Sequence, residues 1–178
     1  MKLIKALQNI KTLIVLLIIL SLWGCERDDI CAATTPTTPH LIIRFYNIDV
    51  LTETKTVRRM NVKAEGNPKL IVNDKTTDSI VLPLRVEALN TINTSRFVLT
   101  RDQDFDQDTI QSTIPNPDII EIKYTPELIY VSRACGYKSV FNNISATRVT
   151  DSINWILDIE VIKDTINNEN AAHINIYH

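Results

Sequence analysis

From Leu41 to Tyr177 the apolar residues tend to recur at every second position, and no stretch repeats them at helical spacing. Successive side chains of a strand point to opposite faces, so this pattern commits the chain to half-buried sheet. Met60, Val62 and Ala64 fall on one face of 57–64, against Arg59, Asn61 and Lys63. Ile120, Ile122 and Tyr124 align in 118–124, opposite Glu121 and Lys123. In 79–86 the face is Ile80, Leu82, Leu84 and Val86, and Pro83 on the other side predicts an edge strand, since proline donates nothing to a ladder. The segment 153–161 aligns Ile153, Trp155, Leu157, Ile159 and Val161, which makes Trp155 a core residue rather than a sugar-stacking platform. Further strands are predicted over 41–48, 96–100, 128–135, 137–141 and 172–177, the break before 128–135 falling at Pro126. The expectation is all-β: a single antiparallel β-sandwich, Ig-like or jelly-roll-like, of about eight or nine strands.

The front of the chain is built differently. Lys2, Lys5 and Lys11 precede an almost wholly apolar run from Thr12 to Leu22, and Trp23-Gly24-Cys25 follows. A basic segment, an apolar run of about ten residues and a small residue before a cut describe a secretory signal peptide. The run falls short of the roughly 20 residues that a membrane span needs. Leu22 and Gly24 before Cys25 resemble the bacterial lipobox, in which the cysteine thiol takes a diacylglycerol and the peptide is cut before it. Trp23 stands where a small residue is usual. The expected organisation is a cleaved signal peptide over 1–24, a lipidated tether and spacer over 25–39, and the β-domain over 40–178. The spacer contains Ala-Ala-Thr-Thr-Pro-Thr-Thr-Pro, stiff and extended by virtue of its prolines.

Cleavage alters the charge. The whole chain has 19 Lys and Arg against 21 Asp and Glu; losing Lys2, Lys5 and Lys11 leaves 16 against 21, a net of −5. Nucleic acid and anionic lipid call for clustered basic residues, so no nucleic-acid partner is expected, and the lipid rather than charge holds the chain to a membrane. With Cys25 acylated, two cysteines remain, Cys31 and Cys135. An even pair with no metal-ligand spacing, in an oxidising compartment, reads as a disulfide, with two buried thiols as the alternative.

Motifs that carry chemistry are sparse. Gly66 and Gly136 are the two glycines after Cys25, too few for phosphate-cradling loops or a glycine-flanked nucleophile elbow. Asp102, Asp104, Asp106 and Asp108 alternate like the start of a calcium loop. A calcium loop of the EF-hand type also needs glycine sixth and glutamate twelfth, and Gln107 and Thr113 stand there, so a solvated loop fits better. His40, His173 and His178 are scattered, so no metal, no cofactor and no catalytic residue is assigned. Asp followed by Ser or Thr and an aliphatic residue occurs at Ser79, Thr109, Ser152 and Thr165. That pattern resembles the O-glycosylation sequon of Bacteroidota, although Asp-Ser and Asp-Thr also suit turns before strands.

Together, Cys25-Glu26-Arg27-Asp28-Asp29-Ile30-Cys31, Thr35-Pro36-Thr37-Thr38-Pro39, Leu41-Ile42-Ile43-Arg44-Phe45-Tyr46, the segment Val131-Ser132-Arg133-Ala134-Cys135-Gly136-Tyr137-Lys138 and the closing His173-Ile174-Asn175-Ile176-Tyr177 resemble a lipoprotein family of flavobacteria and relatives, the domain of unknown function 6452 family. The resemblance reinforces the lipoprotein reading and the pairing of Cys31 with Cys135, and implies no activity. Glu26, Asp28 and Asp29 resemble the acidic export signal of surface lipoproteins, which places the chain at the outer membrane, on its periplasmic or its outer face. Arg133, Tyr137 and Lys138 either brace the disulfide, the favoured reading, or form a candidate surface site. The expected function is a non-catalytic, lipid-anchored binding or assembly module whose partner is another envelope protein or a glycan. An envelope hydrolase or isomerase with a site assembled only in three dimensions, and a small-ligand carrier, are the alternatives.

Overall fold

The computed structural model describes residues 30–103 and 114–178, together with Lys11 and Ile14. Over 30–103 and 114–178 all the regular structure is strand: β1 (Leu41–Tyr46), β2 (Val57–Ala64), β3 (Leu70–Thr77), β4 (Ser79–Leu82), β5 (Asn93–Arg101), β6 (Asn116–Ser132), β7 (Gly136–Val149), β8 (Asp158–Val161) and β9 (Ile174–Tyr177). They form a four-stranded sheet, β4-β1-β9-β8, and a five-stranded sheet, β3-β2-β5-β6-β7. The sheets pack as a sandwich. Leu41, Ile43 and Phe45 of β1, with Ile174 and Ile176 of β9, form one cluster with Met60, Val62, Leu99, Ile120 and Ile122 of the other sheet. Each set comes from alternate strand positions, which is how the sequence pattern becomes a core.

Pairing is antiparallel for β1–β4, β8–β9, β2–β3, β2–β5 and β5–β6. The exception is β1 with β9, which run parallel with Ile43 opposite Ile174. More than a hundred residues separate these strands, so no hairpin dictates their direction. The expected edge position of β4 is observed: the strand stops at Leu82, one residue before Pro83, and Leu84 and Val86 do not extend it. The β2–β3 ladder shifts register repeatedly, and Arg59 and Asp74 both adopt positive φ while Arg59 Nε donates to Asp74 Oδ1 at 3.0 Å. Bulges and charge of this kind keep an edge such as β3 from pairing with other chains.

Two expected strands are redrawn by single residues. The segment 128–135 is not separate from 118–124: β6 runs unbroken through Pro126. In a strand the N–H and C=O of one residue point the same way, and the Pro126 carbonyl accepts from Asn90 N at 2.9 Å. The missing donor therefore lies on the side where β5 has already ended, and the ladder to β7 is spared. The segment 153–161 is a strand only over β8, and Ile153 and Leu157 are exposed where Trp155 and its neighbour Ile156 are both buried. Asp118 is the cause. Its Oδ2 accepts the consecutive N–H groups of Trp155 at 3.0 Å and Ile156 at 2.9 Å, and two adjacent amides converging on one oxygen cannot belong to a pleated strand.

By compactness the chain divides into Met1–Thr35 with Val131–Gly136, and Pro36–Tyr130 with Tyr137–His178. Within the first, Cys31 and Cys135 form a disulfide with Cα atoms 4.8 Å apart. Thr35 N donates to Ala32 O, Cys135 N donates to Ser132 Oγ at 3.1 Å, and Gly136 takes the positive φ of 69° that the turn between β6 and β7 requires. The second holds both sheets. It also fixes the end of the spacer: Pro39 is buried and the Thr38 hydroxyl accepts from Ser139 N at 2.9 Å.

Candidate functional site

The sequence-derived candidates scatter. Tyr137 is exposed and Lys138, the next residue of β7, faces the other way with Nζ 3.5 Å from Asn167 O. Arg133 is exposed in the turn beside Cys135. Cys25, Asp104, Asp106, Asp108 and Thr109 lie outside the described residues. Asp102 takes the Arg58 guanidinium at 2.6 Å. Ser79 Oγ donates to Ile43 O at 3.2 Å, Thr165 Oγ1 donates to Asp164 Oδ1 at 3.3 Å, and Ser152 is exposed in the loop before Trp155. Among the described residues no three His, Cys, Asp or Glu side chains gather as metal ligands.

What stands out instead is the outer part of β6 and β7. Up to Tyr124 the inward residues of β6 are buried; from Glu127 to Tyr130 four consecutive residues are exposed. A strand exposed on both faces has left its sandwich, so the β6–β7 hairpin continues as an arm. Leu128 is 45 %, Tyr130 58 % and Tyr137 65 % exposed, and the rings of Tyr130 and Tyr137 meet edge to face with centroids 5.4 Å apart. Alternation along β6 puts Leu128 and Tyr130 on one face and Ile129 on the other, and the ring contact brings Tyr137 to the face of Tyr130. The signal for Leu128 to Tyr130 was present in the sequence as a run of consecutive apolar residues without alternation, read there as the start of a strand over 128–135.

A second feature is an open cleft of about 1140 Å³ lined by Ala64–Ile71, Pro83–Arg85 and Thr94–Phe97. Its floor is firm. Tyr124, buried against Phe141 with centroids 5.3 Å apart, has its hydroxyl between Arg85 O and Ser95 Oγ, each at 2.6 Å, and burial pushes its pKa up. Asn93 ties the adjoining loop: its Oδ1 accepts from Glu87 N and Ala88 N, and its Nδ2 donates to Ala88 O and Thr91 O. At the rim, Arg96 bridges Glu65 at 2.9 Å and Glu121 at 3.0 Å.

Of the three histidines His40 is exposed beside Glu169 at 2.7 Å, and the other two serve packing. His173 is buried, with Nδ1 accepting from Ile42 N at 3.0 Å and Nε2 donating to Asn168 O at 3.0 Å. His178 lies edge-on to Trp155 and Phe45, with Nε2 3.3 Å from Lys55 O. Burial holds both below the ordinary histidine pKa, despite the carbonyl partners that favour protonation. The unfolded chain, titrating near about 6.5, then takes up these protons before the folded chain does. Stability is full above that pH and is lost as pH falls from it toward the depressed folded values. Urea midpoints should therefore drop between pH 7.5 and 5.5, and His173→Asn should shrink the drop; an unchanged midpoint over this range would contradict neutral buried imidazoles.

Fold and arm together define a disulfide-bridged β-sandwich protein. Residues 59–178 match the family of unknown function DUF6452, and the chain belongs to that family. No curated protein and no solved structure matches it.

Proposed function

We propose that this chain is a lipid-anchored β-sandwich of the bacterial outer membrane, acting as a non-catalytic binding or assembly module. The observation that carries the reading is the fate of the three cysteines: Cys31 and Cys135 are bridged, as suits an oxidising extracytoplasmic compartment, and the remaining one, Cys25, stands directly behind the apolar leader. Each buried CH₂ of an acyl chain contributes about 0.8 kcal/mol, so two or three chains on one cysteine hold a protein firmly. The partner on this reading is another envelope protein or a glycan, for which the cleft beside Leu70, Arg85 and Arg96 offers both apolar and charged contacts.

The hydroxyls of Ser79, Thr109, Ser152 and Thr165 are its modification sites, with Ser152 the most open of the three described. Ser79 would have to release Ile43 O to be modified. Gentle extraction of the protein from its own membranes followed by mass measurement tests these points together. The expected denatured mass exceeds that of residues 25–178 by a diacylglyceryl group, with or without a further acyl chain, and by glycan, and the native preparation contains a stoichiometric partner. A chain beginning elsewhere, or one at Cys25 with no lipid, would contradict the anchor. Repeated recovery alone would contradict the binding role.

A further inference from the structure

We propose that the β6–β7 arm seats the face formed by Leu128, Tyr130 and Tyr137 in the interfacial zone of the bilayer, so that the chain is held there at two points. The proposal rests on the lipid-anchor reading of Cys25. Its own support is the arm. Three exposed apolar or aromatic side chains share one face of a two-stranded ribbon, and two of them are tyrosines in mutual ring contact. Tyrosine has an apolar body and a polar tip, which is why it collects where hydrocarbon meets headgroups. An exposed patch of this kind would be a liability on a surface facing only water.

Chain length decides for the membrane over a protein partner as the occupant. Cys31 is six residues from Cys25 and is bonded to Cys135, which is two residues from Tyr137. At the chain's maximum extension of about 3.6 Å per residue, Tyr137 cannot lie more than roughly 30–35 Å from the acylated cysteine, about the thickness of a bilayer core. Without the bridge, the path from Cys25 to the first strand at Leu41 would allow roughly 55 Å at the same extension. The disulfide thus shortens the leash by roughly two fifths and fastens it to the arm's turn. The local charge agrees at one point: Arg133 is exposed in that turn, four residues from Tyr137, in a mature chain whose net charge is −5. A basic residue beside an interfacial tyrosine suits lipid phosphate.

The test uses the full chain, produced with its leader, purified in detergent and reconstituted into phosphatidylethanolamine–phosphatidylglycerol vesicles whose acyl chains are brominated near the glycerol. Tyr137→Trp and, separately, Leu128→Trp place reporters on the arm face; Lys75→Trp places one on β3, at the far edge of the same sheet. Interfacial side chains sit about 5–10 Å into the boundary, within contact of the bromines, so emission of the two arm reporters should fall by roughly half. The Lys75→Trp reporter should be unaffected, as should buried Trp155 in the parent chain. The same preparations are weighed for the acyl group. Acylated protein with unquenched arm reporters overturns the arm's insertion and leaves the anchor standing. Quenching without an acyl group supports the arm and overturns the anchor. Unquenched reporters that are nevertheless shielded from iodide in water overturn the membrane as occupant in favour of a second copy of the chain.

Discussion

Replacing Cys31 and Cys135 by serine is expected to lower the unfolding free energy by about 4 kcal/mol. The bridge closes a loop with a sequence separation of 104 residues. Cross-linking a loop of about 100 residues removes conformational freedom from the unfolded chain worth roughly 4–5 kcal/mol. Native-state closure offsets little of this, because the ends are already constrained by the fold. Cys31 is seven residues from Thr38, whose hydroxyl takes the amide of Ser139, and Ser139 is four residues from Cys135. With a urea slope of about 2 kcal/mol per molar, the midpoint should fall by roughly 2 M. An unchanged midpoint would mean that the tail and the turn sit outside the cooperative unit. Reducing agent added to the parent chain should reproduce the double-serine result, which separates loss of the bridge from any effect of serine itself.

Asp118→Ala is expected to cost about 3 kcal/mol, through a mechanism distinct from loss of packing. The carboxylate is fully buried, and its Oδ2 is the acceptor for the amides of both Trp155 and Ile156. Each buried donor left without a partner costs about 1–3 kcal/mol. Trp155 would lose its placement as well; it packs against Phe45 with centroids 6.2 Å apart and donates from Nε1 to Leu99 O at 3.3 Å. Asp118→Asn keeps one oxygen for both amides and removes the charge, so its cost at neutral pH should be about 1 kcal/mol or less.

The pH dependence separates these variants further. Burial raises the Asp118 pKa, and Asp151 adds to that, against the opposing pull of the two amides and the Arg148 charge. A carboxyl raised on folding contributes stability that is full below its unfolded value of about 3.9 and is lost as pH rises through its folded value. The parent should therefore lose stability relative to Asp118→Asn as pH climbs from about 3.9. If Asp118→Ala unfolds at the same urea concentration as Asp118→Asn, the two amides have found other acceptors and the account of this segment is wrong.

These two sites also mark where the sequence can and cannot be read. Ile120, Ile122 and Tyr124 declared their face because alternation is a local property, and Pro83 declared an edge because it removes a donor. The pair Cys31 and Cys135 was readable because two cysteines with no metal-ligand spacing have few other fates. Asp118 was not. It looks like any polar residue at a strand's start, and its burial is decided by amides 37 and 38 residues away. For the same reason the alternation in 153–161 misled: Ile153 N turns back to Asp151 Oδ1 at 2.9 Å, which bends the chain before a strand can form. The parallel partnership of β1 and β9 is a property of the whole chain path and leaves no local trace. At the arm, consecutive apolar residues were visible, but whether they meet a core or leave it depends on where β5 ends.

One covalent geometry is central, Cys31, six residues after the proposed lipidation site at Cys25, bonded to Cys135 in the turn of the exposed arm. Trypsin separates 28–44 from 134–138, and a chain cut before Cys25 as proposed also gives 25–27, so each cysteine can be followed by itself. A non-reducing digest of protein taken from its own membranes, with free thiols blocked first, should yield 28–44 joined to 134–138 through Cys31 and Cys135. The same digest should yield 25–27 carrying acyl chains on Cys25. Recovery of 28–44 and 134–138 as separate, thiol-blocked peptides would contradict the account at its centre.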